Sequence, residues 1–312
     1  MLPLAVKKVF CLLMLSVVAF VGVAAELASH QDVTNSILLA HFKKLSSAEF
    51  SGRKTGSAGH KLASQYIKNS FLTEYISSYS STQAFHFSSG FSQKQGFNHL
   101  YVKKGEKLPN KYIVITAHYD HLGKKAGKIY YGADDNASGA SALLALKPWL
   151  ENIETKHSIV LLATDAEEFG FKGAKAFLRH SAINKEDIIF NINLDMISYG
   201  KKRKYLLAAG SKKQPELKDH IQHINESAKV KFKLINKIPA NYLSSHRAAI
   251  NLHKASDHYE FHKAGIPYLF VTGENHKNYH QSTDSYANVD LQFYSDAFES
   301  IKHLIRTCDQ KL

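Results

Sequence analysis

Cysteine is nearly missing from this 312-residue chain, which has only Cys11 and Cys308. Cys11 falls in an amino-terminal segment expected to be removed, so Cys308 is left without an intrachain partner and a disulfide scaffold is excluded. Internal repeats and long low-complexity tracts are lacking too, which sets aside the solenoid and propeller architectures. Arginine is scarce, with five residues, and the only dense basic run is Lys201 to Lys204 (KKRK). The formal charge of +13 is therefore scattered along the chain. No nucleic-acid motif accompanies it, and the KKRK run reads as a solvated loop. A composition of 44% hydrophobic and 21% charged residues excludes a disordered, collagenous or polytopic membrane protein. A chain of this length builds a core without staples.

One apolar run does stand out. Lys7 and Lys8 precede the uncharged residues Val9 to Ala25, with small residues Val23 and Ala25 just before Glu26. This is the pattern of a secretory signal peptide over residues 1–25, leaving a single domain over 26–312. The alternative is a retained anchor, because 17 uncharged residues just reach the lower limit for crossing a bilayer. The expectation is export to the periplasm or medium, with no stable membrane insertion once the signal is gone.

Beyond the signal, helical patterns are expected over Asn35 to Leu45, Leu62 to Phe71, Ser138 to Leu146 (stopped by Pro148), Gly170 to His180 and Asp290 to Cys308. In the last of these, Ile301, Leu304, Ile305 and Cys308 share one apolar stripe, so Cys308 reads as an inert core residue. The Ser-rich stretch from Ser77 to Ser92 reads as a loop or an edge hairpin. Four short apolar runs behave differently. Ile113 to Ala117 ends at His118-Tyr119-Asp120; Ser158 to Thr164 runs into Asp165-Ala166-Glu167-Glu168; Ile188 to Leu194 ends at Asp195; and Pro267 to Thr272 leads to His280. Strands alternating with helices imply an α/β fold of three layers, with a mixed, mostly parallel central sheet covered by helices on both faces. Ligands bind such sheets beyond the carboxyl ends of the strands, where all four polar clusters fall.

The groups gathered there are His118, Asp120, Asp134, Asp135, Glu167, Glu168, Asp195 and His280. So many carboxylates at the ends of buried strands repel one another unless cations neutralise them. Imidazole and carboxylate without cysteine suit zinc best, with manganese or cobalt as alternatives and calcium disfavoured by the nitrogen ligands. The donors exceed what one catalytic zinc takes, so two ions sharing a carboxylate, with an activated water, fit better. His118 and Asp120 project to one side of an extended chain, which would let Asp120 accept the free N–H of the ring. Glu167 and Glu168 must diverge, one toward metal and the other toward water as general base.

At this point the sequence resembles the co-catalytic zinc exopeptidases, which include secreted bacterial leucine-type aminopeptidases, with glutaminyl cyclases as a related branch. The resemblance is carried by LSSAEFSGRKTGSAGHKLASQYI (45–67), AHYDHLG (117–123), GADDNASG (132–139), TDAEEFG (164–170), NLDM (193–196), SDHYEFHKAGIP (256–267) and YHQSTD (279–284). It implies that His118 and Asp195 hold one zinc, Glu168 and His280 the other, and Asp135 bridges them. Glu167 then becomes the general base and Tyr279 a candidate oxyanion donor. Choosing Asp135 over Asp134, which reads as a turn residue, rests on this resemblance. The implied activity is removal of amino-terminal residues from peptides with a free amino terminus. Glutaminyl cyclisation on the same scaffold is the alternative, and a carboxypeptidase or a non-catalytic zinc-binding module fits less well. Asp257 reads equally as a helix N-cap or a member of the proton network. His258 and His262 have zincin spacing but the wrong glutamate position. His121 reads as lining the site entrance. Substrate specificity falls in residues 197–255, which match nothing recognisable, and oligomeric state is not encoded legibly.

Overall fold

The computed structural model describes residues 33–200, 204–210, 216–235 and 252–312. The signal segment, the first three residues of the KKRK run and much of the specificity stretch lie outside the described residues. The chain divides into two units at Ile37/Leu38. Residues 33–37 of the first unit are helical. The second, Leu38–Leu312, begins in the helical residues 38–45 (α1).

Eight strands of this unit form one sheet in the order β1-β2-β6-β3-β7-β10-β8-β9. They are β1 (Ser78–Ser89), β2 (Ser92–Lys103), β3 (Leu108–His118), β6 (His157–Thr164), β7 (Ile188–Leu194), β8 (Tyr205–Ala209), β9 (Lys231–Ile235) and β10 (Tyr268–Thr272). Two short strands, β4 (Gly123–Lys125) and β5 (Lys128–Tyr130), pair separately. The four central strands β6, β3, β7 and β10 are mutually parallel, as are β8 and β9, while β1–β2, β2–β6 and β10–β8 run antiparallel. The central four are buried toward their carboxyl ends and mostly apolar there, as suits a sheet covered on both faces. Every residue of β6 is buried. The Ser-rich stretch is the edge hairpin β1–β2.

Alternation along the strands divides the core. Val114, Val160 and Leu162 pack with Phe177 of α4 (Lys172–His180) and Phe261 of α6 (His258–Lys263). Ile113, Ile115 and Leu161, also buried, face the opposite side, where α3 (Gly139–Glu151) lies on β2, β3 and β6. Three further helices are α2 (Ala58–Ser70), α5 (Leu217–Ser227) and α7 (Leu291–Lys311). Asp290 caps α7 by accepting from the Phe293 N–H at 3.1 Å. Along α7 the stripe of Ile301, Leu304, Ile305 and Cys308 is buried, and burial pushes the Cys308 thiol up to about 12. That thiol is inert.

Pro148 does not end its helix as expected. α3 continues to Glu151 with Pro148 inside it. A proline inside a helix removes a hydrogen bond and crowds the preceding turn at a cost of about 3 kcal/mol, but Leu146 and Leu150 are fully buried on either side, and two such burials contribute about 1.5–3 kcal/mol each.

Candidate active site

The carboxyl ends of β3, β6, β7 and β10 lie side by side, so the residues that follow them converge. β3 ends on His118, β7 is followed by Asp195, β6 by Asp165 to Glu168, and β10 by the loop to His280. Asp135 enters from the turn Ala133–Ser138 that feeds α3, and its peptide bond to Asn136 is cis. Arg53, Ala166, Phe171, Met196 and His280, none of them glycine, hold positive φ around this site. Each such conformation costs on the order of 1–3 kcal/mol and persists only where neighbours dictate it. At Met196 the dictating contacts are a Gly273 N–H bond to its carbonyl at 2.6 Å and its own N–H bond to Asn136 Oδ1 at 3.3 Å.

Asp135 sits at the centre and divides its two oxygens. Oδ1 lies 3.4 Å from His118 Nε2, which is also 3.4 Å from Asp195 Oδ1. Oδ2 lies 3.0 Å from His280 Nε2, which is 3.6 Å from Glu168 Oε1. The five residues expected to bind metal are thus brought together as two sets sharing one carboxylate. His118, Asp135 and Asp195 each offer an atom within 4.8 Å of the others, and so do His121, Asp135 and Glu168. His121, expected at the entrance, is instead fully buried behind the carboxylates.

Whether this cluster suits a cation is decided by its unpaired atoms. Asp195 Oδ1, Glu168 Oε1 and both ring nitrogens of His121 are buried without a hydrogen-bond partner. Orphaned buried acceptors are rare and costly, and converging imidazole and carboxylate donors are zinc chemistry. The residues fit the metal.

Burial lowers the His118 imidazole, but Asp195 and Glu167 outweigh it and hold the ring well above its ordinary value. Burial would raise Asp135, yet the imidazoles of His121, His118 and His280 keep it well below the carboxylate range. Glu167 has no such company: burial drives it well above its ordinary value, opposed by His118 and reinforced by Asp195, Asp257 and Glu168. Glu168 stands in a ligand set, and Glu167 lines the cavity beside it. Burial takes Asp257 to about 7. Asp257 holds the N-cap position of α6 but makes no cap; its carboxylate accepts the Thr164 hydroxyl.

Around these groups lies a frame that the sequence reading missed or placed differently. The His118 Nδ1 bonds the backbone carbonyl of Asp120 at 3.1 Å, and the Asp120 carboxylate stands back at 3.7 Å. That carboxylate instead accepts the N–H groups of Glu167 and Glu168 at 3.0 and 3.3 Å, fixing the turn that carries both. Asp134 is no simple turn residue. It accepts from the Ser198 N–H and hydroxyl and pairs with His276 Nε2 at 2.9 Å. Asp284 accepts the backbone N–H groups of Asp134 and Asp135, which sets the bridging carboxylate in place. Arg53, fully buried, donates to the carbonyls of Leu45, Tyr119, Tyr131 and Gly132. Asp284 and Arg53 lie within the quoted motifs, but nothing in spacing shows what they hold. His258 bonds the Leu252 carbonyl and stacks on Phe270, while His262 packs edge-on against Tyr268, so the two histidines of the zincin spacing serve packing.

A cavity of about 310 Å³ opens over the cluster, with His118, Asp135, Glu167, Glu168, Asp195 and His280 among its lining. Tyr279 stacks on His280 at its rim, and burial pushes the phenol well above its ordinary value. Met196, Leu252, Ala255 and Phe270 supply an apolar wall.

Residues 99–305 match Peptidase family M28. The chain belongs to peptidase family M28. Among curated relatives, aminopeptidase YwaD of Bacillus subtilis (strain 168) is 26% identical over 209 residues, 64% of this chain and 42% of the relative. The chain spans about half the length of the curated relatives it matches. Among solved structures, a zinc aminopeptidase from Bacillus subtilis superposes with a TM-score of 0.69 at 15% identity, covering 89% of this chain and 96% of that one. A glutaminyl cyclase from Fimbriiglobus ruber gives 0.70 at 16%, covering 88% and 95%. At these identities the likeness is one of fold.

Proposed function

We propose that this M28 chain is a zinc-dependent aminopeptidase that binds two ions per chain and hydrolyses amino-terminal residues from peptides. The observation that carries the reading is the divided Asp135 carboxylate, one oxygen facing His118 and Asp195 and the other facing Glu168 and His280. Zinc bound there would polarise the scissile carbonyl and make water acidic enough to attack it. Glu167, outside both ligand sets, takes the proton from the attacking water and returns it to the leaving amine. Its high proton affinity suits the second task as well as the first. Tyr279 stays protonated and donates to the carbonyl oxygen as charge builds there. Asp120 fixes the turn bearing Glu167 and Glu168. The substrate's free ammonium group meets the acidic floor, and its side chain meets the apolar wall. The relative named as an aminopeptidase supports this reading.

Among the described residues that line the cavity there is no Lys or Arg to receive a terminal carboxylate, which argues against a carboxypeptidase. Glutaminyl cyclisation is the second reading, and the cyclase neighbour favours it. The two separate on unblocked aminoacyl amides, N-acetylated amides and peptides beginning with Gln, assayed beside zinc analysis of the purified protein. Cleavage of the unblocked amides but not of the N-acetylated ones, negligible cyclisation of the Gln peptides and about two zinc ions per chain are expected. One zinc with rapid pyroglutamate formation overturns the aminopeptidase in favour of the cyclase.

We infer further that residues 1–25 direct export and that residues 26–312 act as one catalytic domain. Among the described residues no helix is long and apolar enough to cross a membrane.

A further inference from the structure

We propose that His121 is a metal ligand, so that the second ion is held by four side chains, His121, Asp135, Glu168 and His280, while the first has only three. This rests on the two-metal reading above. Six histidines are buried among the described residues, namely His60, His99, His118, His121, His157 and His258. Five of them hydrogen-bond through at least one ring nitrogen. His121 alone bonds through neither. Burying two ring nitrogens without partners is unfavourable unless something absent from the protein engages one of them.

Its Nδ1 points where a ligand should. It lies 3.1 Å from Glu168 Oε1 and 3.7 Å from Asp135 Oδ2. These are the two oxygens that His280 Nε2 faces at 3.6 and 3.0 Å. Ligands at about 2.0–2.1 Å from a tetrahedral zinc stand about 3.3 Å from one another, and these four of the six separations in a four-ligand set scatter about that value. The ring is also backed against Gly132, where a Cβ would sit 2.5 Å from Cγ and Cδ2 of His121. Glycine there gives the imidazole room to stand in the cluster. The two ion positions then differ in kind. Four protein ligands close the second as in a structural site, and three leave the first with the open place that catalysis requires.

The rival account makes His121 an imidazolium counter-ion to Glu168 and Asp135. Chelator-stripped full-length protein, titrated with Zn²⁺ against a chromophoric chelator and with Co²⁺ by visible absorption, separates the two. Wild type is expected to bind two ions, the second with a cobalt spectrum set by four protein ligands and the first completed by water. His121→Ala should weaken one ion by at least about 100-fold and change that spectrum. His280→Ala should weaken the same ion and His118→Ala the other. If His121→Ala misfolds by circular dichroism, His121→Gln is read instead, with the same expectations. Two ions bound by the variant with unchanged affinity and cobalt spectrum overturn the ligand assignment. A counter-ion shows itself differently, by lowering the melting temperature of the stripped protein while leaving uptake intact. A wild-type chain that binds only one ion overturns the two-metal reading itself, whatever the variant does.

Discussion

Two buried acidic regions lie within a few residues of each other, and they are built on opposite terms. Asp165 is fully buried, and both of its oxygens are engaged: Oδ1 by the Thr55 hydroxyl and the Ala166 N–H, Oδ2 by His60 Nε2 and the Phe97 N–H. Asp195 and Glu168 are part of the neighbouring cluster, and each has a buried oxygen that accepts no hydrogen bond. Burial and charge are common to both regions. What separates a structural carboxylate from one awaiting a ligand is the supply of donors, because an unpaired buried acceptor is stable only when a cation completes it.

The sharpest way to break this contrast is at the shared carboxylate. Asp135→Ala should strip both ions and lower kcat/KM by at least about 10³-fold, checked by metal analysis and amide hydrolysis. Two ions retained would remove Asp135 from the bridging role. Glu167→Gln should leave metal content unchanged and lower kcat by about 10²–10⁴-fold. Loss of metal there but not in Glu168→Gln would mean that the roles within the pair are exchanged.

The donor-poor region also has its own pH signature. Asp257 and Asp284 are raised by burial to about 7 and about 6, and Asp120, Glu167 and Asp195 are raised too. A carboxyl raised on folding binds more protons folded than unfolded, so its contribution is full below the unfolded value near 4 and is lost as pH climbs through the folded value. Asp135, held low, works the other way but is already ionised above pH 4 in both states. His41, His99 and His258, lowered by burial to about 4, 4 and 3, act the opposite way over the same range, so the share of the acidic cluster shows in the stabilisation that zinc adds, which should grow between about pH 4 and 7. Thermal unfolding with and without chelator measures this, and a zinc-induced gain no larger at pH 7 than at pH 5 sinks the idea. The donor-rich region responds least: Asp165→Asn should cost about 1–3 kcal/mol by chemical denaturation and leave zinc affinity within a few-fold.

The same contrast marks what the sequence made legible. The polar groups at strand ends declared themselves, since His118, Asp195 and the Glu167-Glu168 pair each follow a short apolar run. The satisfied region did not, because the donors to Asp165 come from Thr55, His60 and Phe97, between 68 and 110 residues away along the chain. Asp120 was placed beside the right ring, yet a carbonyl took that bond and its carboxylate went to the turn beyond β6. Asp134 was misjudged for a related reason: its partners, Ser198 and His276, belong to loops that only the closed sheet brings near.

Arg53 ties four carbonyls, one at the end of α1, one in the loop after β3 and two just before the Asp135 turn. None of these segments can lift away alone without stripping a buried guanidinium of acceptors, which is strongly unfavourable. They therefore open together or not at all. In native-state hydrogen exchange the amides of His121 and Ala137, which bond the carbonyls of Arg53 and Gly132, should report one common opening energy rather than two.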